Sequence, residues 1–241
     1  MANERGRQLG GDIVAHGHGH SVDEYLETIY FLAFPIGEYR PATASNAIAS
    51  RVAEMLGVSR ASAGEMLKRL EAEGLVERGE QKEAILTPTG IERAERVVRK
   101  HRLIERFLTD FMGYTAAESH VHADELGDTF SDDMVERINE RLGFPDRCPH
   151  GWPIETDFEQ AENAELVSLA DLPTGNEAEI VRLAEHDGQL LTWFYDNGFA
   201  PGVTVLRRGT AVDEPLLIEI DGGTRPIDEK FAQGLYVRPA A

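Results

Sequence analysis

Four small sets of histidine, cysteine and acidic residues recur in this 241-residue chain at spacings that carry chemical meaning. His101 and Glu105 are four apart, and His120, Asp124 and Asp128 follow one another at intervals of four. Glu24 and Glu27 are three apart, while Cys148 and His150 are two apart. On helices, each of the first three sets lines a single face. Imidazoles mixed with carboxylates suit a divalent transition metal, whereas carboxylates alone suit harder ions. Any one pair alone is better read as an ordinary solvated helix face, and His101 alone also fits a satisfied helix histidine. Four sets in one chain point to metal. A metal with an open position can also activate water, which is the catalytic alternative. The chain has no HExxH, no Gly-rich phosphate loop and no serine-nucleophile elbow, so a metallohydrolase or metal-handling module is the weaker reading. No enzyme activity and no small organic substrate are expected.

The elements that must position these residues follow from apolar periodicity. Met1 to His20 is Gly-rich and ends in alternating histidines, which reads as a flexible tail. Val22, Tyr25, Leu26, Ile29, Tyr30 and Leu32 then give one helix an apolar face, and Pro35-Ile36-Gly37 breaks it. Ala44 to Ala49 opens a further helix that continues through Val52, Ala53, Met55 and Leu56 to a turn at Gly57. Ser59, with Ser62 as an alternative, caps a second helix that buries Ala63, Met66, Leu67 and Leu70 and stops at Gly74. Leu75 to Arg78 and Ala84 to Thr87 read as a hairpin around a polar tip. Helix, turn, helix and wing in that order make a reading head for a DNA major groove.

Beyond the wing, a long helix is expected over Ile91–Met112, with Val97, Leu103, Ile104, Phe107 and Leu108 inward. Helices over Ala116–Phe130 and after Ser131 come next, then an irregular linker over Asp146–Glu165. From Leu166 short strand-like runs separated by glycines, with one helical insert near Gln189–Asn197, predict a small barrel of five or so strands. The fold class is therefore mainly α with a small β domain. The expected divisions are a tail over 1–20, a winged helix-turn-helix over 21–92, a helical domain over 93–157 and a small β-barrel over 158–241.

The net charge of -19 is unusual for a DNA binder, because phosphate attraction dominates affinity. Ser59 to Lys100 nevertheless holds nine basic against eight acidic residues, so the acidity lies elsewhere. An acidic body discourages non-specific DNA and makes binding conditional on dimerisation or neutralising cations; a salt-adapted proteome would share the composition. No apolar run approaches a membrane span, and one cysteine allows no internal disulfide, which together fit a cytoplasmic protein without membrane partners.

The sequence resembles the diphtheria-toxin-repressor family of iron- or manganese-dependent regulators. The runs Asp23-Glu24-Tyr25-Leu26-Glu27-Thr28-Ile29-Tyr30, Arg99 to Leu108, Ser131 to Glu136 and Cys148-Pro149-His150-Gly151-Trp152-Pro153-Ile154 carry the likeness over His20 to Pro153. The C-terminal part is similar to the SH3-like module of longer members, and to a ferrous-iron-transport A domain, through Asp171-Leu172-Pro173 with Gly175 and Gly198 to Gly202. The resemblance implies a homodimeric, metal-activated repressor of metal-homeostasis genes on a palindromic operator, with manganese favoured slightly over iron. It implies that the helical domain over 93–157 is a dimerisation and metal-binding domain and that the barrel over 158–241 is an SH3-like β-barrel. It implies an ancillary site from His101, Glu105 and His120, with Cys148, His150 and an acid of the SH3-like module, Asp187 or Glu185. It implies a primary site from Glu24, Glu27 and Asp124, where the family's glutamate-histidine pair is here Gly127-Asp128. Asp128 then either keeps a harder, all-oxygen site, or control passes to the ancillary site or is lost; Asp23 is a further substitute. For DNA, Ser59, Ala61, Ser62 and Glu65 would meet base edges, while Arg60, Lys68, Arg69, Arg78 and Lys82 would hold phosphates. Glu65 stands where the family usually has a neutral amide.

Overall fold

A computed structural model describes residues 20–33, 48–79, 83–158, 162, 164–185, 188–209 and 214–240. The tail over 1–19, the segment after helix one, Lys82 at the wing tip and Asp187 lie outside the described residues.

The reading head is built as local chemistry dictates. Helices α1 (Val22–Ala33), α2 (Ile48–Met55) and α3 (Arg60–Ala72) pack around one apolar core. Gly57 takes a φ of +62° between α2 and α3, a left-handed turn that costs a glycine little. Ser59 caps α3 by accepting from the Ser62 N–H at 3.0 Å. Strands β1 (Val76–Arg78) and β2 (Ala84–Leu86) pair antiparallel with Val76 opposite Leu86, forming the wing. Thr87 caps the next helix and its hydroxyl donates to the Gly74 carbonyl at 2.7 Å, fastening the end of α3 to the helical body.

That body is α4 (Pro88–Met112), α5 (Ala116–Gly127) and α6 (Asp132–Leu142). Pro88 sits in the first turn of α4, where its missing N–H costs nothing. Thr115 and Glu118 close a capping box on α5, and Ser131 caps α6. The buried valine of α4 is Val98 rather than Val97, which is half-buried. The 25-residue helix packs against α1, α5 and α6 in turn, so its inward face is set by successive partners rather than by one stripe.

The segment after α6 is more than a linker. Arg147 bridges Pro153, and Cys148, His150, Trp152 and Ile154 are all buried, three of them in a small core with Leu103 and Val135. A six-stranded antiparallel sheet follows: β3 (Val167–Ser168), β4 (Glu177–Leu183), β5 (Thr204–Arg208), β6 (Leu216–Ile220), β7 (Gly223–Ile227) and β8 (Leu235–Pro239), in the order β3-β8-β4-β5-β6-β7. Helices α7 (Gly188–Asp196) and α8 (Glu229–Ala232) lie against it, and Leu190, Leu191 and Phe194 of α7 enter its core. Strand β4 is bulged between Ile180 and Arg182. There the Val181 carbonyl faces Gly151 so closely that a Cβ on Gly151 would lie 1.9 Å from it.

Candidate metal centre

Glu105 is the centre of the site. It is fully buried on α4, and its Oε1 lies 2.9 Å from His101 Nε2, 3.0 Å from His120 Nδ1 and 3.2 Å from His150 Nδ1. The i, i+4 spacing on α4 brings His101 alongside, α5 supplies His120, and the packed loop after α6 supplies His150. Cys148 Sγ lies 3.7 Å from Glu185 Oε2, and Glu185 arrives from the end of β4. Glu105, Cys148, His150 and Glu185 thus offer donor atoms within 4.8 Å of one another, all from buried residues.

Two further groups adjoin it: His101, Glu105 and His120, and then Glu27, His101 and Asp124. His101 turns Nε2 toward Glu105 while Nδ1 faces Glu27 at 3.4 Å and Asp124 at 3.3 Å. His120 does likewise, with Nδ1 toward Glu105 and Nε2 3.9 Å from Asp124. Each imidazole therefore spans an inner cluster around Glu105 and an outer one beneath α1.

The donor chemistry fits a cation. His150 Nε2 lies 2.9 Å from the Ala116 carbonyl, which can only accept, so this nitrogen carries the proton. In the neutral ring, Nδ1 then presents a lone pair to a buried carboxylate, and a positive charge between them resolves that arrangement. Glu27 Oε1 is buried without a hydrogen bond; His101 is near enough for charge attraction but misaligned for donation. Burial pushes the Glu27 carboxyl up to about 7, against the opposing pull of His101. Burial also works to raise Glu105 and to lower His101, but the mutual attraction of imidazoles and carboxylates wins, holding Glu105 well below and His101 well above their ordinary ranges. For Cys148, burial and then Glu105 and Glu185 push the thiol well up.

The other expected positions lie outside these donor groups, although Glu24 borders the same cavities as Glu27 and Asp124. Glu24 is engaged in the first turn of α1, accepting from the Ser21 N–H while its own N–H donates to Ser21 Oγ at 3.1 Å. Asp128 caps the end of α5 and accepts from Ser21 Oγ at 3.3 Å, outside all three donor groups. Asp23 pairs with Arg93 at 2.7 Å and belongs to none of the three donor groups. Of the two acids offered by the last module, Glu185 is at the site. Sequence reasoning missed Arg102, fully buried one residue after His101, which donates to Glu185 Oε1 at 2.8 Å and to the Pro153 carbonyl at 2.8 Å. Its only sequence signal is a place on the inward face of α4 beside Val98 and Glu105.

On the reading head, Ser59, Arg60, Ala61, Ser62, Glu65, Lys68 and Arg69 are all exposed along α3. Arg69 is paired with Glu73 at 2.8 Å, and the half-buried Arg78 of the wing reaches Glu71 at 3.4 Å.

A winged head joined to a histidine-carboxylate centre and a small β module defines a metal-linked DNA-binding regulator, and comparison with known proteins agrees. Residues 19–84 match the iron dependent repressor, N-terminal DNA binding domain. Residues 87–156 match the iron dependent repressor, metal binding and dimerisation domain, and 167–239 match the FeoA domain. The iron-dependent repressor IdeR of Mycobacterium leprae is 33% identical over 197 residues, covering 77% of this chain and 82% of its own. Among solved structures, T. acidophilum IdeR superposes with a TM-score of 0.76 at 25% identity, covering 92% of this chain and 100% of that one. A manganese-dependent transcriptional repressor in complex with manganese gives 0.78 at 29% identity, covering 91% and 100%. The chain belongs to the iron-dependent repressor family, whose members are DNA-binding transcriptional repressors rather than enzymes. No helix among the described residues is long and apolar enough to cross a membrane.

Proposed function

We propose that this chain is a homodimeric repressor that binds operator DNA when a divalent cation, manganese or iron, is held by its helical body. The observation that carries the reading is the convergence of Glu105, Cys148, His150 and Glu185 in one buried cluster with His101 and His120 beside them. These six residues, with Glu27 and Asp124, would hold the metal. Four carboxylates against one thiol lean toward manganese over iron. The bound cation supplies positive charge to carboxylates that otherwise repel one another and DNA.

Helix α1 is the mechanical link. Leu26, Ile29 and Tyr30 pack in the core of the reading head, while Glu27 on the adjoining face meets His101 of α4. Whatever fixes Glu27 against α4 therefore fixes the head against the body. In a dimer this sets the distance between two copies of α3 and their register on successive major grooves. Coupling between metal and DNA is the difference in metal affinity between competent and incompetent arrangements. On α3, Ser59, Ala61, Ser62 and Glu65 would meet base edges, and Arg60, Lys68, Arg69, Arg78 and Lys82 would meet phosphates. Glu65 can accept from a cytosine amino group, which gives this chain its own operator preference.

The test is fluorescence anisotropy on labelled promoter DNA, with and without manganese or ferrous iron. Retention that depends on metal is expected, and binding that is equal after thorough chelation overturns the metal-activated reading.

A further inference from the structure

Arg102 is fully buried on α4, between His101 and Glu105 in the sequence. A guanidinium taken out of water is costly unless its donors are matched. Nε and Nη2 both donate to Glu185 Oε1, at 3.1 and 2.8 Å, and Nη1 donates to the Pro153 carbonyl at 2.8 Å. The group also lies 5.2 Å from the ring centre of Trp152, whose indole N–H donates to the Leu183 carbonyl at 2.6 Å, two residues before Glu185. We propose that Arg102 is a positioning residue of the metal centre: by occupying Oε1 of Glu185 it leaves Oε2 alone to meet the cation beside Cys148.

Three observations support the assignment. The first is the use of the two carboxylate oxygens. An arginine and a carboxylate paired fork to fork place one N–H on each oxygen. Here both N–H groups go to Oε1, while Oε2 lies 3.7 Å from Cys148 Sγ, and Glu185 shares a donor group with Glu105, Cys148 and His150. The second is the rigidity of the guanidinium, which Glu185, the Pro153 carbonyl and the Trp152 ring hold from three directions. The third is the place of Glu185 just beyond the end of β4, where the ladder does not fix its side chain. Arg102 ties that side chain to the helix that carries His101 and Glu105. A plain buried ion pair between α4 and the β module would account for the burial of both groups, but not for the sparing of the oxygen that faces Cys148.

The inference rests on the metal-dependent reading above, and the experiment keeps the two apart. Manganese binding to metal-stripped full-length protein is measured by calorimetry for wild type, Arg102→Lys, Glu185→Gln and the double variant. Lysine keeps the charge and loses the fork. Arg102→Lys is expected to lower affinity about 10-fold or more in the wild-type background and to add no further loss where Glu185 is already replaced. Equal losses in both backgrounds overturn the proposal and make Arg102 a general fastening of α4 to its neighbours. Wild-type affinity in Glu185→Gln also overturns it and leaves metal dependence standing. Infrared difference spectra on manganese uptake supply a reading that needs no folded Arg102 variant. The bands present in wild type and lost in Glu185→Gln should show the wide separation of carboxylate stretches that marks one-oxygen coordination. The narrow separation of a two-oxygen chelate overturns the role of Arg102. Wild-type protein that takes up no manganese overturns both readings.

Discussion

At the scale of single residues, Glu105 gathers three imidazoles from three elements around one buried oxygen. Glu105→Gln keeps the volume and removes the charge. It should lower metal affinity by roughly 10- to 100-fold or more by calorimetry. The metal-induced stabilisation, about 4 kcal/mol at a thousand-fold excess over Kd, should shrink with it in thermal unfolding. Cys148 gives a second prediction. Its thiol is buried and held protonated by burial and by neighbouring carboxylates, so iodoacetamide should label the folded, metal-free protein far more slowly than the unfolded chain at pH 8. Labelling at equal rates would show that the loop opens freely. What was legible at this scale was set by local spacing: His101 with Glu105, and Cys148 with His150. The partnership of Glu185 with Cys148 spans 37 residues and depends on how β4 docks, which no spacing rule contains. Likewise Asp128 keeps its helical phase with His120 and Asp124, but it ends α5 as a cap and accepts from Ser21 instead of joining the donor groups.

At the scale of elements, two glycines make close approaches that a methyl group cannot share. A Cβ on Gly90 would sit 1.9 Å from the Leu75 carbonyl, where α4 meets the base of the wing. Gly90→Ala should therefore cost about 1–3 kcal/mol in denaturant unfolding and weaken DNA binding even at saturating metal. At Gly151, with a φ of +88° and the Val181 carbonyl close by, a side chain would bring both strain and clash. Gly151→Ala should loosen Cys148 and His150 and lower metal affinity, although residue 151 offers no ligand. Ser59→Ala removes the cap of α3 and should cost about 1 kcal/mol. Caps, turns and the wing were readable in the sequence because each is decided within four or five residues. The segment over 146–165 was not. It reads as a linker in the sequence, and only the burial of Cys148 and of residues 150–154 makes that part of it structural. Strand β7 was hidden for a related reason: Gly223 to Pro226 are exposed and one is proline, so the edge strand shows no alternation.

At the scale of the whole molecule, Glu162 joins the parts. It meets Arg147 of the packed loop, Arg182 of β4 and Arg238 of β8. Although burial opposes it, Arg147 and Arg182 bring its carboxyl down from 4.5 to about 2. The folded state thus binds its proton less readily than the unfolded chain. Stability from this group is present above pH 4.5 and is lost as pH falls toward 2. Glu162→Gln should flatten the fall of Tm across that interval relative to wild type; parallel curves would show that the three arginines contribute nothing there. Arg182 belongs to one more arrangement. Its guanidinium lies 4.8 Å from the ring centre of Trp152, and that of Arg102 lies 5.2 Å from it. Because Arg102 is also the partner of Glu185, any change in what Glu185 holds alters the electric field at this indole. If metal binds at Glu185, the emission of Trp152 should therefore shift during a metal titration, while Trp193, stacked on Phe199 at the β core, should change little. Such a shift would let the titration be followed with no dye attached.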